Sequence, residues 1–174
     1  IRPADMTPYD YTKETYTRMG YLTEGFTTYY GDLMLKRSGV FSINQYLKQI
    51  NKILDRHFLN SGTQNLSVAD SSFDTWSDGY EKGIPNRKSS IYIEGCLLAI
   101  LTDLIIRKKS KSKKSLDDIM RIFFNNYGKN ERGILELDFK LEIEKLGGEE
   151  FKKIWENHSN GINDIYISFK KTFK

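Results

Sequence analysis

The sequence predicts an all-α fold, and three observations carry that prediction. Between Ser42 and Phe58, apolar residues recur at Ile43, Tyr46, Leu47, Ile50, Ile53, Leu54 and Phe58, the i, i+3, i+4, i+7 spacing of an amphipathic helix. From Ser90 to Arg107 almost every face is apolar, which marks a helix buried on most sides. Ser115-Leu116-Asp117-Asp118 reads as a capped N-terminus, opening a helix with the core face Ile119, Ile122, Phe123 and Tyr127.

Taken in order, the first helix is expected from Thr15 to Lys36, where Leu22, Phe26, Tyr29 and Leu33 fall at spacings of four, three and four. Gly39 breaks it from the next, for which Ser42 and Gln45 can form a capping box. Asp70 to Lys88, with Gly79, Gly83, Pro85 and Asn86, is the longest irregular stretch and the expected functional loop. The central helix follows. Glu94 and Asp103 interrupt it and its uncharged stretch is too short for a bilayer, so no membrane span is expected. Gly128 can end the Ser115 helix. Leu135, Leu137, Phe139, Leu141 and Ile143 alternate as a half-buried strand would, yet Leu135, Phe139, Ile143 and Leu146 also fit a helical face closed by Gly147, which is the preferred reading. Phe151, Ile154 and Trp155, then Ile162, Ile165, Tyr166 and Phe169, suggest two more short helices divided near Asn160-Gly161.

With 174 residues, 39% hydrophobic and 13% aromatic, the chain can bury one core, and residues 1–174 are read as a single helical domain. A net charge of +4 from 27 basic and 23 acidic residues does not mark a nucleic-acid surface. Cys96 is the one cysteine, so no intrachain disulfide can form, and its apolar surroundings make it a small buried hydrophobe. The start at Ile1-Arg2-Pro3, with no targeting segment, suggests an excised part of a longer protein and leaves the compartment open.

A complete zinc site would need ligands at characteristic spacings, and the sequence has neither HExxH nor CxxC. His57 lies in line with Ile50 and Ile53 and reads as a packed structural histidine. His158 sits in a polar turn and is expected to be solvated. No G-x-S-x-G elbow supports a serine nucleophile. Glu24 is more informative. It is rotated away from the Leu22 stripe onto a face shared with Gly20, Thr28 and Gly31, where small residues suit the close approach of a metal-bearing helix. An ordinary exposed glutamate is the competing reading. The basic run from Arg107 to Lys114 follows a helix C-terminus, where cations are favoured, and lacks interleaved aromatics, so it reads as a solvated loop.

With those residues in hand, the chain resembles the glycyl aminopeptidase family of gluzincin zinc metallopeptidases from Ile1-Arg2-Pro3 through at least Asn160-Gly161. The matching segments are Pro8-Tyr9-Asp10-Tyr11, Glu24-Gly25-Phe26-Thr27-Thr28-Tyr29-Tyr30, Ser72-Phe73-Asp74-Thr75-Trp76, Pro85-Asn86, Ser90-Ile91-Tyr92-Ile93-Glu94-Gly95 and Ser115-Leu116-Asp117-Asp118-Ile119-Met120. The resemblance implies the C-terminal helical subdomain of a thermolysin-like catalytic domain with roughly seven or eight helices. It implies a Zn2+ cofactor with Glu24 as third ligand, Tyr92 as the oxyanion-stabilising tyrosine, and a peptide as substrate. The two histidines and the general base would come from an HExxH segment of the same polypeptide, so the chain alone is expected to be inactive.

Departures from the family pattern are Glu94 where lysine is usual, Ile91 in place of a tyrosine, and Gly20-Tyr21-Leu22 before the ligand. A reversed charge at Glu94 would bias the site toward substrates with a cationic group, unless Glu94 pairs internally with Arg87 or Lys88. Two other readings compete. One is a degenerate peptide-binding or scaffolding module of the same fold. The other is a basic nucleic-acid-binding domain, which is the less favoured because the lysine run lacks a binding platform.

Overall fold

The computed structural model describes residues 1–75 and 84–172, and Trp76, Gly79 and Gly83 of the expected functional loop fall outside these. The described residues form seven α-helices: α1 Phe26–Arg37, α2 Ile43–Phe58, α3 Val68–Phe73, α4 Ile91–Lys109, α5 Leu116–Asn126, α6 Glu136–Ile154 and α7 Ile165–Thr172. Single π-helical turns, Tyr21–Gly25 and Trp155–Ser159, adjoin α1 and α6. No described residue belongs to a strand, apart from an isolated parallel bridge between Pro3 and Ile134. No helix among the described residues is long and apolar enough to cross a membrane.

Local chemistry accounts for most helix boundaries. Ser42 and Gln45 close the capping box of α2, with Gln45 N–H donating to Ser42 Oγ at 3.2 Å and Ser42 N–H to Gln45 Oε1 at 2.8 Å. Ser115 and Asp118 do the same for α5. The first helix starts later than the expected Thr15. Residues 15 to 19 lack helical structure, and the helix opens through the π turn at Tyr21. The expected loop from Asp70 begins inside α3, capped by Ser67. At Leu135–Ile143 the helical reading holds: Leu137 and Leu141 are exposed while Phe139 and Ile143 are buried, so the four-residue spacing decides the structure. The chain does not stop at Gly147. It turns at Gly148, in the left-handed region at φ 62°, and resumes as helix to Ile154.

α4 is the axis of the molecule, touching every other described α-helix and the Tyr21–Gly25 turn. Of its 19 residues 13 are buried, including Leu97, Leu98, Leu101, Ile105 and Ile106. Its tightest neighbour is the turn carrying Glu24. A Cβ on Gly95 would stand 2.1 Å from the Tyr21 carbonyl oxygen, and one on Gly25 would stand 2.3 Å from Gly95 Cα. Only two glycines allow backbones this close. Beside this contact Phe26 meets Phe139 edge-on with centroids 5.1 Å apart, and Phe123 stacks on Phe139 at 4.7 Å.

Two buried carboxylates on α4 hold its neighbours. Asp103 accepts from the Tyr29 hydroxyl at 2.8 Å, Arg107 Nε at 2.7 Å and the Leu116 amide at 2.7 Å, joining α1, α4 and α5. Glu94 faces α2, where His57 Nδ1 lies 2.9 Å from Oε1 and 3.0 Å from Oε2. His57 Nε2 lies 3.3 Å from Asp164 Oδ1. Burial pulls the His57 pKa down, but the hydrogen bonds and charges of Glu94 and then Asp164 outweigh it, leaving it above its ordinary 6.5. His158 corrects the expectation of a solvated side chain. It is buried, with Nδ1 2.7 Å from the Asn163 carbonyl and Nε2 2.7 Å from Ser168 Oγ, and burial pushes its pKa below 6.5.

The basic run is largely committed within the fold. Arg107 pairs with Asp103, Lys108 Nζ donates to the Thr172 carbonyl, Lys109 Nζ to the Gly147 carbonyl, and Lys114 pairs with Asp118.

Gly95→Ala is expected to destabilise the chain by about 3 kcal/mol, because backbone rather than a flexible side chain must give way. The thermal midpoint should fall on the order of 10 °C. Gly31→Ala is the control: nothing lies within 4 Å of its Cβ position, so the helix should gain about 0.5–1 kcal/mol. Equal effects of the two would refute the crossing as described.

The two histidines should shape stability against pH with opposite signs. His57, raised, contributes stability that is complete below 6.5 and lost as pH rises through its folded value; His158, depressed, contributes stability that is complete above 6.5 and lost as pH falls through its folded value. Thermal midpoints measured across pH should show His57→Gln flattening only the alkaline side and His158→Gln only the acid side. His57→Ala should cost about 3 kcal/mol at neutral pH, since it leaves Glu94 buried without its partner.

Candidate active site

Glu24 lies in the π-helical turn, one residue before the glycine that touches α4, and its side chain is half-buried. Its backbone carbonyl accepts from Thr28 Oγ1 at 2.8 Å. Its carboxylate has no hydrogen-bond or ion-pair partner among the described residues. That sets it apart from Asp70, Asp74, Asp103 and Asp117, each held by an arginine. π turns put an extra residue into a helix and recur at functional positions.

Tyr92 occupies the first turn of α4, one turn before Gly95, and is half-buried. Ser90 caps that turn, accepting from the Ile93 amide at 3.4 Å. Glu24 precedes Gly25 and Tyr92 lies one turn before Gly95, so they sit on the two elements that meet at this backbone contact. The close approach foreseen for the Glu24 face comes from Gly25 rather than Gly20 or Gly31. Gly20 packs against Ser72 and Ile91, and Gly31 is open.

Glu94 requires a correction. Two residues after Tyr92 on an α-helix it points about 200° away, and its carboxylate is taken by His57 in the buried pair described above. The partner is not Arg87 or Lys88 either. Arg87 pairs with Asp74, and Lys88 Nζ donates to the Asp74 carbonyl at 3.5 Å. The small cavity at this pair, lined also by Ser89, His158 and Asn163, measures about 20 Å3, room for a single water.

Sequence reasoning missed the Glu94–His57–Asp164 arrangement, although a signal existed. A glutamate inside an apolar helix and a histidine in line with isoleucines are both groups that must find partners when buried. No group of three or more His, Cys, Asp or Glu side chains among the described residues could hold a metal ion.

Comparison with known proteins bears on what the pair can do. A family model described as M61 glycyl aminopeptidase matches residues 1–98. A solved structure of an aminopeptidase N family protein from Idiomarina loihiensis superposes with a TM-score of 0.88 at 28% identity, covering 94% of this chain and 28% of that one. This chain thus spans less than a third of that protein's length. No curated protein matches. With more than half its residues matched by the family model, the chain belongs to the M61 glycyl aminopeptidase family.

Proposed function

We propose that the chain is the helical part of the catalytic domain of a zinc-dependent aminopeptidase that removes N-terminal residues from peptides. The observation that carries this reading is an uncommitted, half-buried carboxylate, Glu24, joined through a glycine-on-glycine backbone contact to the helix bearing Tyr92, in a member of a peptidase family.

In this reading Glu24 is one zinc ligand, and an HExxH histidine pair from polypeptide outside this sequence completes the set. A carboxylate oxygen is an ordinary zinc donor. Glu24 would fill one ligand position, and no group of three or more such side chains among the described residues could hold the ion unaided. When bound, the ion supplies Lewis acidity toward the peptide carbonyl. Tyr92 donates its hydroxyl hydrogen toward the carbonyl oxygen as that oxygen gains negative charge. Its seat in the first turn of a 19-residue helix adds the positive end of the helix dipole. Orientation comes from the glycine contact, which keeps the two side chains from drifting apart. The reversed charge at Glu94, the feature that favours a degenerate module, is answered inside the fold by His57 and so weighs little against activity.

Zinc titrated into this chain by calorimetry should bind only weakly, because one carboxylate leaves the ion mostly hydrated. A tight one-to-one complex would mean that other ligands exist here. In the longer protein, Tyr92→Phe should lower turnover by about a hundredfold to a thousandfold with zinc content and folding unchanged. Turnover equal to wild type would remove Tyr92 from the mechanism.

A further inference from the structure

Two buried histidines that the proposed chemistry does not use stand against one short turn, Asn163–Asp164, which leads into α7. The side chain of Asp164 faces His57 Nε2 at 3.3 Å, and the carbonyl of Asn163 faces His158 Nδ1 at 2.7 Å. His158 also reaches α7 itself, with Nε2 2.7 Å from Ser168 Oγ. Both rings line the same cavity of about 20 Å3.

The partners dictate a different protonation state for each ring. Nδ1 of His57 faces both oxygens of Glu94, and Nε2 faces Asp164. An ionised carboxylate can only accept, so both ring nitrogens must carry hydrogen and His57 is an imidazolium. His158 meets one obligate acceptor, the Asn163 carbonyl, and one group that can donate, the Ser168 hydroxyl. A neutral ring with its hydrogen on Nδ1 satisfies both. A second cation there would stand at the same small cavity as the first, with room for only one water to screen it. The titratable groups that face the two rings are Glu94 on α4, Asp164 ahead of α7, and each histidine for the other. Their opposite shifts agree with this assignment: burial, outweighed by Glu94 and then Asp164, leaves His57 above 6.5, and burial leaves His158 below it.

The start of α7 depends on this turn. Asp164 Oδ1 also accepts from the Tyr166 amide at 2.8 Å, so the carboxylate that meets His57 caps the helix as well. Elsewhere α7 is held by Ile165 and Phe169, which are buried, by Tyr166 edge-on to Phe58 with centroids 5.1 Å apart, and by Lys108 Nζ donating to the Thr172 carbonyl at 3.0 Å. None of these contacts involves a histidine or a carboxylate. Proton-sensitive docking of α7 is therefore concentrated in the two rings.

We propose that His57 and His158 form a proton-sensitive clasp on the Asn163–Asp164 turn, so that α7 docks most firmly while His57 is charged and His158 neutral, and loosens when either ring changes state. His57 gives its full contribution below 6.5 and loses it as pH rises through its folded value; His158 gives its full contribution above 6.5 and loses it as pH falls through its folded value. Docking is thus strongest near pH 6.5 and weaker on both sides. The clasp works whether or not the chain serves a zinc site.

The test is amide hydrogen exchange of this chain between about pH 5 and about pH 9, each rate being divided by its intrinsic value at that pH. The amides of α7 should be less protected than those of α5 at every pH, which marks an opening short of global unfolding. Their protection should peak near 6.5 and fall by up to about tenfold per pH unit on either side. Asp164→Asn is a mild change, since the side chain is 49% exposed and asparagine caps a helix as well as aspartate. It should remove the alkaline fall from α7 and leave it in α5, where the His57–Glu94 pair still acts. His158→Gln should remove the acid fall from α7. Equal protection of α7 and α5 across the range would mean that the histidines act on the whole fold and that no clasp exists. An alkaline fall that persists in α7 of Asp164→Asn would likewise overturn the proposal. Ring 15N signals at pH 6.5 give an answer without any variant: both His57 nitrogens should be protonated and His158 should carry hydrogen on Nδ1 alone, and a neutral His57 or a charged His158 would defeat the assignment.

Discussion

Two polypeptide backbones touch at Gly25 and Gly95, and the arrangement of the rest follows from that contact. Side chains of any size would push the π turn away from α4 by more than the packed aromatic residues around Phe139 could absorb. The contact does for the candidate site what side-chain packing alone does poorly. It sets the separation of two elements by covalent geometry, with no rotamer to change.

Charge is organised around the same helix by a different rule. Where α4 carries a carboxylate into the interior, a specific partner meets it: tyrosine, arginine and a helix N-terminal amide at Asp103, histidine at Glu94. A buried charge without a partner is expensive, while a satisfied one restricts which neighbours may sit beside it. Glu24, half-buried on the neighbouring π turn, has no such partner among the described residues.

Much of this was readable from the residues. The α2 capping box, the buried course of α4 and the start of α5 follow from local chemistry that needs no tertiary context. The M61 membership followed from ordered motifs. What escaped was set by contacts between distant segments. The Glu94–His57 pair spans α2 and α4, so no short window along the chain contains it. His158 looked solvated because its neighbours are polar, yet Asn163 and Ser168 fold over it. The late start of the first helix has the same origin. Periodicity counts apolar positions, and it cannot register that the chain before Tyr21 is held by tertiary bonds such as that between Arg18 and Asp70.

The π turn at Tyr21–Gly25 carries a consequence for how this segment tolerates changes in length. Its extra residue offsets the positions of the turn from Gly20 onward by about 100° relative to α1. Deleting one residue there would let an unbroken α-helix form, a locally favourable outcome. Glu24 and Gly25 would then no longer keep their angles to Phe26 and Tyr29 at the same time. The segment is thus intolerant of indels for a geometric reason: its hydrogen-bonding is slightly poor so that two faces, one packed and one carrying the free carboxylate, can coexist on a single rod.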